Sequence, residues 1–403
     1  MVTRHLFELV TAALVCLTLP ASIEIGLLTV AAIAFRPGRA CFSRFSYRLR
    51  KLGVVIPAHN EAATIERCLR SLQACATLGP DCEIALVVAA DNCLDNTAEL
   101  ARSAGVRTII RSDTHRRGKG FALRDVLEEL LREGFDAFVV IDADSVVEPN
   151  LLRAVSSVLE AGADAVQVPY LALERNASMY RKLAGIGLMV ANLLRPRGRA
   201  NLGASAGIVG NGFALSRRTL IEVPYLATSI TEDLEYHLAL VKKRKRVIFA
   251  QGTVVRAEIP SASNAAMVQR VRWEGGRMHL LRKAATSLIA ELKRGNLLVL
   301  EPLVELFTLP MSYYLVFLLA MLILGGHASR IYALVALLLL IVHVITAIVL
   351  AHGDWSDIAA LAIVPFYVLW KLTLVQKIFI FSRSDSEWIR TPRTETASNR
   401  NAL

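Results

Sequence analysis

Four long apolar runs decide most of what this chain can become: residues 6–35 near the start, and 302–324, 331–351 and 358–381 near the end. About 20 apolar residues are enough to cross the hydrocarbon of a bilayer, and a backbone in lipid must satisfy its own polar groups, so each run is expected to be helical. The first run is broken by Glu8, Pro20 and Glu24. It is too long for the core of a signal peptide, and no small-residue cleavage site follows it. It reads as one tilted or kinked span, with a tight hairpin as the alternative. Arg36, Arg39, Arg44, Arg48, Arg50 and Lys51 come next. Basic loops stay on the cytoplasmic side, so the chain is expected to be integral to the inner (plasma) membrane with the following domain in the cytoplasm. The last run carries Lys371 and Lys377, which are expensive in lipid. Three full C-terminal spans would also leave Arg383, Arg390 and Arg393 outside. Two spans are therefore expected, with 358–381 interfacial or re-entrant and the tail cytoplasmic.

The expected organisation is a membrane segment and basic linker (1–51), a cytoplasmic domain (52–264), amphipathic interfacial helices (265–300), membrane helices (301–382) and a polar basic tail (383–403). The net charge of +11 fits cytoplasmic Lys and Arg beside anionic membrane lipids. It does not indicate nucleic acid, because no nucleic-acid-binding motif accompanies it. The six cysteines show no metal-binding spacing and read as free thiols.

Within 52–264 the pattern alternates. Strands are expected at 53–56, 83–88, 107–110, 138–141 and 165–168. Helices are expected at 62–73, 97–104, 119–133, 151–160, 178–194 and 231–245. A long basic helix follows at 265–292, and 195–212 reads as a loop over a site. This repetition predicts an α/β domain with a mainly parallel, doubly wound sheet.

In such sheets ligands gather at the carboxyl ends of the strands. Three strands end in acids or amides: Pro57-Ala-His-Asn60-Glu61, Asp91-Asn92, and Asp142-Ala-Asp144. One such end is an ordinary polar turn, whereas three on one edge describe a polar cleft. Asp142 and Asp144, at i and i+2 of an extended segment, would face one cation together. Asp95 or Thr97 reads as a cap of the helix at 97–104. Gly118-Lys119-Gly120 opens a helix and suits phosphate, though a basic surface turn has the same composition. Thr231-Glu232-Asp233 opens another helix. Ser229-x-x-Glu232 fits a capping box, which leaves Asp233 without a structural role. A carboxylate crowded by like charge can have a raised pKa and serve as a general base. Gln269, Arg272 and Trp273 lie at i, i+3 and i+4 on one helical face, a set suited to a sugar beside a phosphate, or to an interfacial Trp with basic neighbours.

Taken together, Asp91, Asp142-Ala-Asp144, Thr231-Glu-Asp233 and Gln269-Arg-Val-Arg272-Trp273, in this order, resemble the membrane-embedded glycosyltransferases of family 2. These have a GT-A fold and include cellulose, hyaluronan, chitin and poly-N-acetylglucosamine synthases. The resemblance implies an inverting, metal-dependent hexosyltransferase using a UDP-sugar donor. Pro57, Glu61 and Asp91 would hold the uridine, with Lys119 and Asp142 near the nucleotide. Asp144, with Asp142, would hold Mg²⁺ or Mn²⁺ on the diphosphate. Asp233 would be the base. Gln269, Arg272 and Trp273 would flank the diphosphate and the acceptor end, with Gly210, Asn211 and Gly212 beside the donor sugar or acceptor. The tail Trp388-Ile-Arg390-Thr-Pro-Arg393 resembles a tail of many bacterial members. A growing β-linked polysaccharide is the expected acceptor, a lipid taking one sugar the alternative. The few spans leave room for an export partner or a homo-oligomer. A nucleotidyl or phosphoryl transferase would instead release pyrophosphate or phosphate, and a transporter would put its polar groups within the membrane.

Overall fold

The computed structural model describes residues 2–34, 48–75, 81–174, 178–259 and 263–382. Arg36, Arg39 and Arg44 of the linker, and Arg383, Trp388, Arg390 and Arg393 of the tail, lie outside the described residues.

Ten strands are described: β1 Lys51–Ala58, β2 Glu83–Asp91, β3 Arg107–Arg111, β4 Ala137–Val140, β5 Ser145–Val147, β6 Ala165–Gln167, β7 Tyr170–Ala172, β8 Phe213–Ser216, β9 Val247–Phe249 and β10 Val255–Ala257. Seven make one sheet in the order β3-β2-β1-β4-β8-β6-β9, parallel throughout except for β8, which is antiparallel to both neighbours. The other three form a small sheet, β5-β10-β7. β1 runs through Pro57 to Ala58, beyond the stop expected at the proline. Val55 and Pro57 both turn their backbone polar groups toward β4. The Val55 carbonyl accepts from Ile141 there, and the β4 pairing has ended before Pro57, so the missing N–H breaks no ladder bond.

The pleat of β1 feeds both faces of the sheet. Val54 and Ile56 pack with the helices Ile65–Gln73 and Leu151–Glu160, whereas Val55 packs with Lys119–Arg132. Each fully buried Leu or Val contributes about 1.5–3 kcal/mol. Parallel strands covered on both sides read as continuous apolar runs, and these were legible.

The segment 195–212 is not all loop. Arg195–Asn201 is helical and packs under the N-terminal helix, where a Cβ at Gly198 would stand 2.6 Å from the Leu28 carbonyl oxygen. Arg199, 5% exposed, holds this helix with ion pairs to Glu301 (2.9 Å) and Glu305 (2.6 Å). Tertiary pairing overrides the weak helix propensity of Gly198.

Val2–Ile33 is one continuous helix through Pro20, so the hairpin alternative does not hold. Among the described residues three helices are long and apolar enough to cross a membrane: Glu8–Ile33, His327–Leu350 and Trp355–Leu372. The run at 302–324, expected as one span, is broken in the middle. It is two helices, Leu300–Phe307 and Met311–Leu324, bent by 65° where Thr308 is extended ahead of Leu309-Pro310. Proline removes a donor and disfavours helix before it. Arg277 caps the break, donating to the Thr308 carbonyl at 2.6 Å. If the bent pair forms one span, the candidates number four.

Candidate active site

The carboxyl ends of β1, β2 and β4 open into a cleft of about 480 Å³. Pro57, Glu61, Asp91, Lys119, Asp142, Asp144, Gly210, Asp233, Gln269, Arg272 and Trp273 all line it. Asn211 and Gly212 do not; both are buried behind it.

The two acids after β4 share the cleft for a different reason from the one read in the sequence. Residues 142–145 form a turn, closed by the Ser145 N–H donating to the Asp142 carbonyl at 3.0 Å, and are not an extended pleat. Asn211 braces this turn. Its Oδ1 accepts from the Asp142 N–H at 3.1 Å, and its Nδ2 donates to Ser145 Oγ at 2.8 Å. Ser145 Oγ in turn donates to Asp144 Oδ1. Gly212 takes a left-handed φ of 69°, and a Cβ there would stand 2.7 Å from Val168 Cγ2. Gly210-Asn211-Gly212 is therefore the platform of the acidic turn.

At the ends of β1 and β2, Asn60 and Asn92 both adopt left-handed backbone, which Asn tolerates better than most residues. Asp95 joins the two turns. Its Oδ1 accepts from the Thr97 N–H and its Oδ2 from the Ala62 N–H; the N-cap of the helix Thr97–Ser103 is Asn96, so Asp95 acts from one residue before the cap position read in the sequence. The Glu61 N–H donates to Thr97 Oγ1, and its carboxylate accepts from Thr64. Asp91 Oδ1 accepts from Arg111 Nη1 at 2.7 Å and from Asn92 Nδ2, and its Oδ2 accepts from the Gly118 N–H at 3.4 Å.

Lys119 spans the cleft wall. Its ammonium donates to Asp142 Oδ1 and to the Gly210 carbonyl, and lies 4.0 Å from Glu232. Burial pulls its pKa down, but Asp142, Glu232 and Asp233 outweigh this and leave it raised. Glu232 was assigned to a capping box with Ser229, and the structure corrects this. Glu235, not Glu232, accepts from the Thr228 and Ser229 N–H groups. Glu232 instead lines the cleft, where burial and the Asp233 charge push its carboxyl up to about 7 against Lys119. Asp233 Oδ1 accepts from the Leu234 N–H at 2.8 Å, and its Oδ2 faces Gly210. Burial also raises its pKa, with the Leu234 N–H and Lys119 opposing.

Gln269, Arg272 and Trp273 come from the long helix Ser263–Lys293 that roofs the cleft. Burial lowers the Arg272 pKa, partly offset by Glu232 and Asp233. The Arg270 guanidinium lies 5.6 Å from the Trp273 ring centroid and 5.9 Å from that of Tyr367. Residues the sequence did not reveal also border the cleft: His59, whose Nδ1 contacts the Asp91 carbonyl at 2.6 Å, and Arg67, ion-paired to Glu258 at 2.7 Å. His59 sat inside the quoted Pro57–Glu61 motif, whereas Arg67 carried no local signal.

The family model for glycosyltransferase like family 2 matches residues 50–276, over half of the chain. The chain belongs to this family. Its matched region contains every cleft residue named above. This glycosyltransferase-like chain is 23% identical to a probable glycosyltransferase, YdaM, of Bacillus subtilis (strain 168) over 279 residues, which are 67% of this chain and 64% of that protein. It thus spans less than two thirds of that relative's length. Its fold resembles that of a mannosyltransferase, PcManGT, from Pyrobaculum calidifontis, solved in complex with GDP-Man and Mn²⁺. The TM-score is 0.55 at 18% identity, covering 94% of this chain and 97% of that one. The fold is thus a GT-A type α/β domain with a mainly parallel sheet, flanking helices and apolar helices.

Among the described residues no group of three or more His, Cys, Asp or Glu side chains forms a metal cage. Asp142 and Asp144 nevertheless suit Mg²⁺ or Mn²⁺, hard cations bound through one or two carboxylates with water and substrate phosphate oxygens filling the rest.

Proposed function

We propose that this chain is an inverting hexosyltransferase. It moves a sugar from a UDP-sugar to a growing β-linked polysaccharide, from a cytoplasmic domain anchored in the plasma membrane. The observation that carries this reading is a half-buried carboxyl of raised pKa, Asp233, sharing one cleft with the Asp142-Asp144 turn and with Gln269, Arg272 and Trp273.

Asp233 takes the proton of an acceptor hydroxyl. That oxygen attacks the anomeric carbon from the face opposite the diphosphate, the bond to the diphosphate oxygen breaks, and the configuration inverts. Lys119 and Arg272 are placed to hold the charge that grows on the leaving group, a preorganised effect of about 3–4 kcal/mol where one such donor is removed. Asp144 with Asp142 would hold a Mg²⁺ or Mn²⁺, which supplies charge neutralisation at the diphosphate. Pro57, Glu61 and Asp91 border the base and sugar of the nucleotide. Trp273 offers an indole face to a sugar ring.

The small number of candidate spans, three or four, favours a second reading in which one sugar is added to a lipid. Protein reconstituted in membranes with Mg²⁺ or Mn²⁺ and a panel of UDP- and GDP-sugars tests both. Release of UDP with products longer than one added sugar supports the polysaccharide reading, and a single added sugar on lipid supports the second. Release of GDP alone corrects the donor. No turnover of any nucleotide sugar contradicts the assignment.

A further inference from the structure

A second cavity of about 470 Å³ lies behind the wall made by Lys119, Thr231 and Glu232. It is framed by the loop 114–118, the first turn of Lys119–Arg132, the segment 228–231 and the Gly275-Gly276 step of the roof helix, and it ends at Phe381. The reaction described above uses none of its outer residues.

Four observations give it a chemical character. The hydroxyls of Ser229 and Thr231 line it and are buried without any hydrogen-bond partner, and Thr231 is 7% exposed. A buried unsatisfied group costs about 1–3 kcal/mol, so two hydroxyls here mark a place for ligand oxygens. Arg117 has no carboxylate partner among the described residues, although its neighbours Arg111 and Arg116 are ion-paired to Asp91 and Asp113. His279 lines it from the roof helix. The 14-residue helix Lys119–Arg132 points its N-terminus here, after Gly118 at a left-handed φ of 112°. Helix N-termini favour anions.

The roof helix packs closely on the wall and the end of this cavity. A Cβ at Gly276 would stand 2.5 Å from Thr231 Cγ2, and one at Gly275 would stand 2.6 Å from the Phe381 ring. Two adjacent glycines within a helix cost about 1 kcal/mol each, and close approach is the usual reason for keeping them. Among the described residues Glu232 is the one acid on the wall, and Lys119 stands 4.0 Å from it.

We propose that this cavity binds a phosphate group, separate from the diphosphate of the donor. Arg117 supplies charge, His279 a ring nitrogen, Ser229 and Thr231 donate hydroxyl hydrogens, and the helix N-terminus supplies its dipole. Phe381, at the end of the apolar helix Val375–Phe381, suits an anion that carries an apolar tail, but a free phosphate presents the same head.

The test is calorimetric titration of inorganic phosphate into the full chain in phosphatidylcholine nanodiscs, with the donor cleft saturated by UDP and again without UDP. Phosphate should bind in both conditions. Arg117→Gln and His279→Gln should each weaken it by about tenfold, the loss of one charge-assisted hydrogen bond, with UDP affinity unchanged. Adding phosphatidate to the nanodiscs identifies the source. Weaker apparent phosphate affinity points to a lipid head group, and unchanged affinity to soluble phosphate. The site is refuted if phosphate fails to bind in either condition, if UDP abolishes its binding, or if both variants bind it as the parent does. UDP affinity, read separately, reports on the donor cleft alone.

Discussion

At the scale of single residues, the cleft is a contest between burial and one cation. Burial raises both Glu232 and Asp233, and Lys119 opposes the rise in each. A general base works only when ionised, so transfer should fall as pH drops through the raised range of this acid pair. The limb belongs to the pair, not to one residue. Lys119→Met removes a cation that favours the ionised forms, so both carboxyls should titrate higher and the acid limb of kcat/KM should move to higher pH. A limb that stays or moves to lower pH would contradict the charge argument. Gly212 makes a steric prediction. Gly212→Ala places a Cβ 2.7 Å from Val168 at a left-handed φ, and should lower stability by about 1–3 kcal/mol, read as a lower thermal midpoint. Asp91, Asp142-Asp144, Asp233 and the Gln269-Arg272-Trp273 face were legible because polar groups at strand ends and one helical face stand out from the periodic pattern. Glu232 was not. A Ser-x-x-Glu spacing has a local meaning, and only the path of the chain shows that Glu235 meets the loop instead.

At the scale of elements, the roof helix joins the cleft to the membrane helices. Lys371, which looked costly in an apolar run, is ion-paired at 2.5 Å to Glu274, the residue after Trp273. One turn earlier on both helices, Arg270 stacks on Tyr367. Two rungs, each one turn apart, thus fix the helix that carries Trp273. Lys371→Met leaves Glu274 buried without its cation. Breaking a buried pair this way costs about 3–5 kcal/mol, so the thermal midpoint should fall and transfer with it. Exchanging the two residues, Glu274→Lys with Lys371→Glu, should restore part of both, and an exchange no better than the single variant would contradict the latch. Elements of ten residues or more were legible from periodicity. Of the strands of three or four residues, β4 and β6 were legible as apolar runs, whereas β5, β7, β8, β9 and β10 were not, because so short a stretch shows no period and draws its stability from its sheet partners.

At the scale of the whole molecule, a parallel sheet presents its acids at one edge, and the C-terminal helices close over that edge from the apolar side. Arg199 ties the parts together, reaching Glu301 and Glu305 from a helix docked on the N-terminal span. Arg199→Met should leave those acids without their cation and lower the thermal midpoint more than Arg218→Met, whose ion pair to Glu222 is exposed. The alternation of strand and helix made the fold class readable. The docking of apolar helices against the domain was not, since it depends on ion pairs between residues far apart in sequence. The central claim is that Asp233 is the base in sugar transfer. It is tested most directly by comparing Asp233→Asn with the parent chain, measuring nucleotide release from the active donor and binding of the nucleoside diphosphate side by side. The account predicts a loss of transfer of about 10²–10⁴-fold with diphosphate binding nearly unchanged. Transfer that persists at the parent rate, or is lost only together with diphosphate binding, would contradict it.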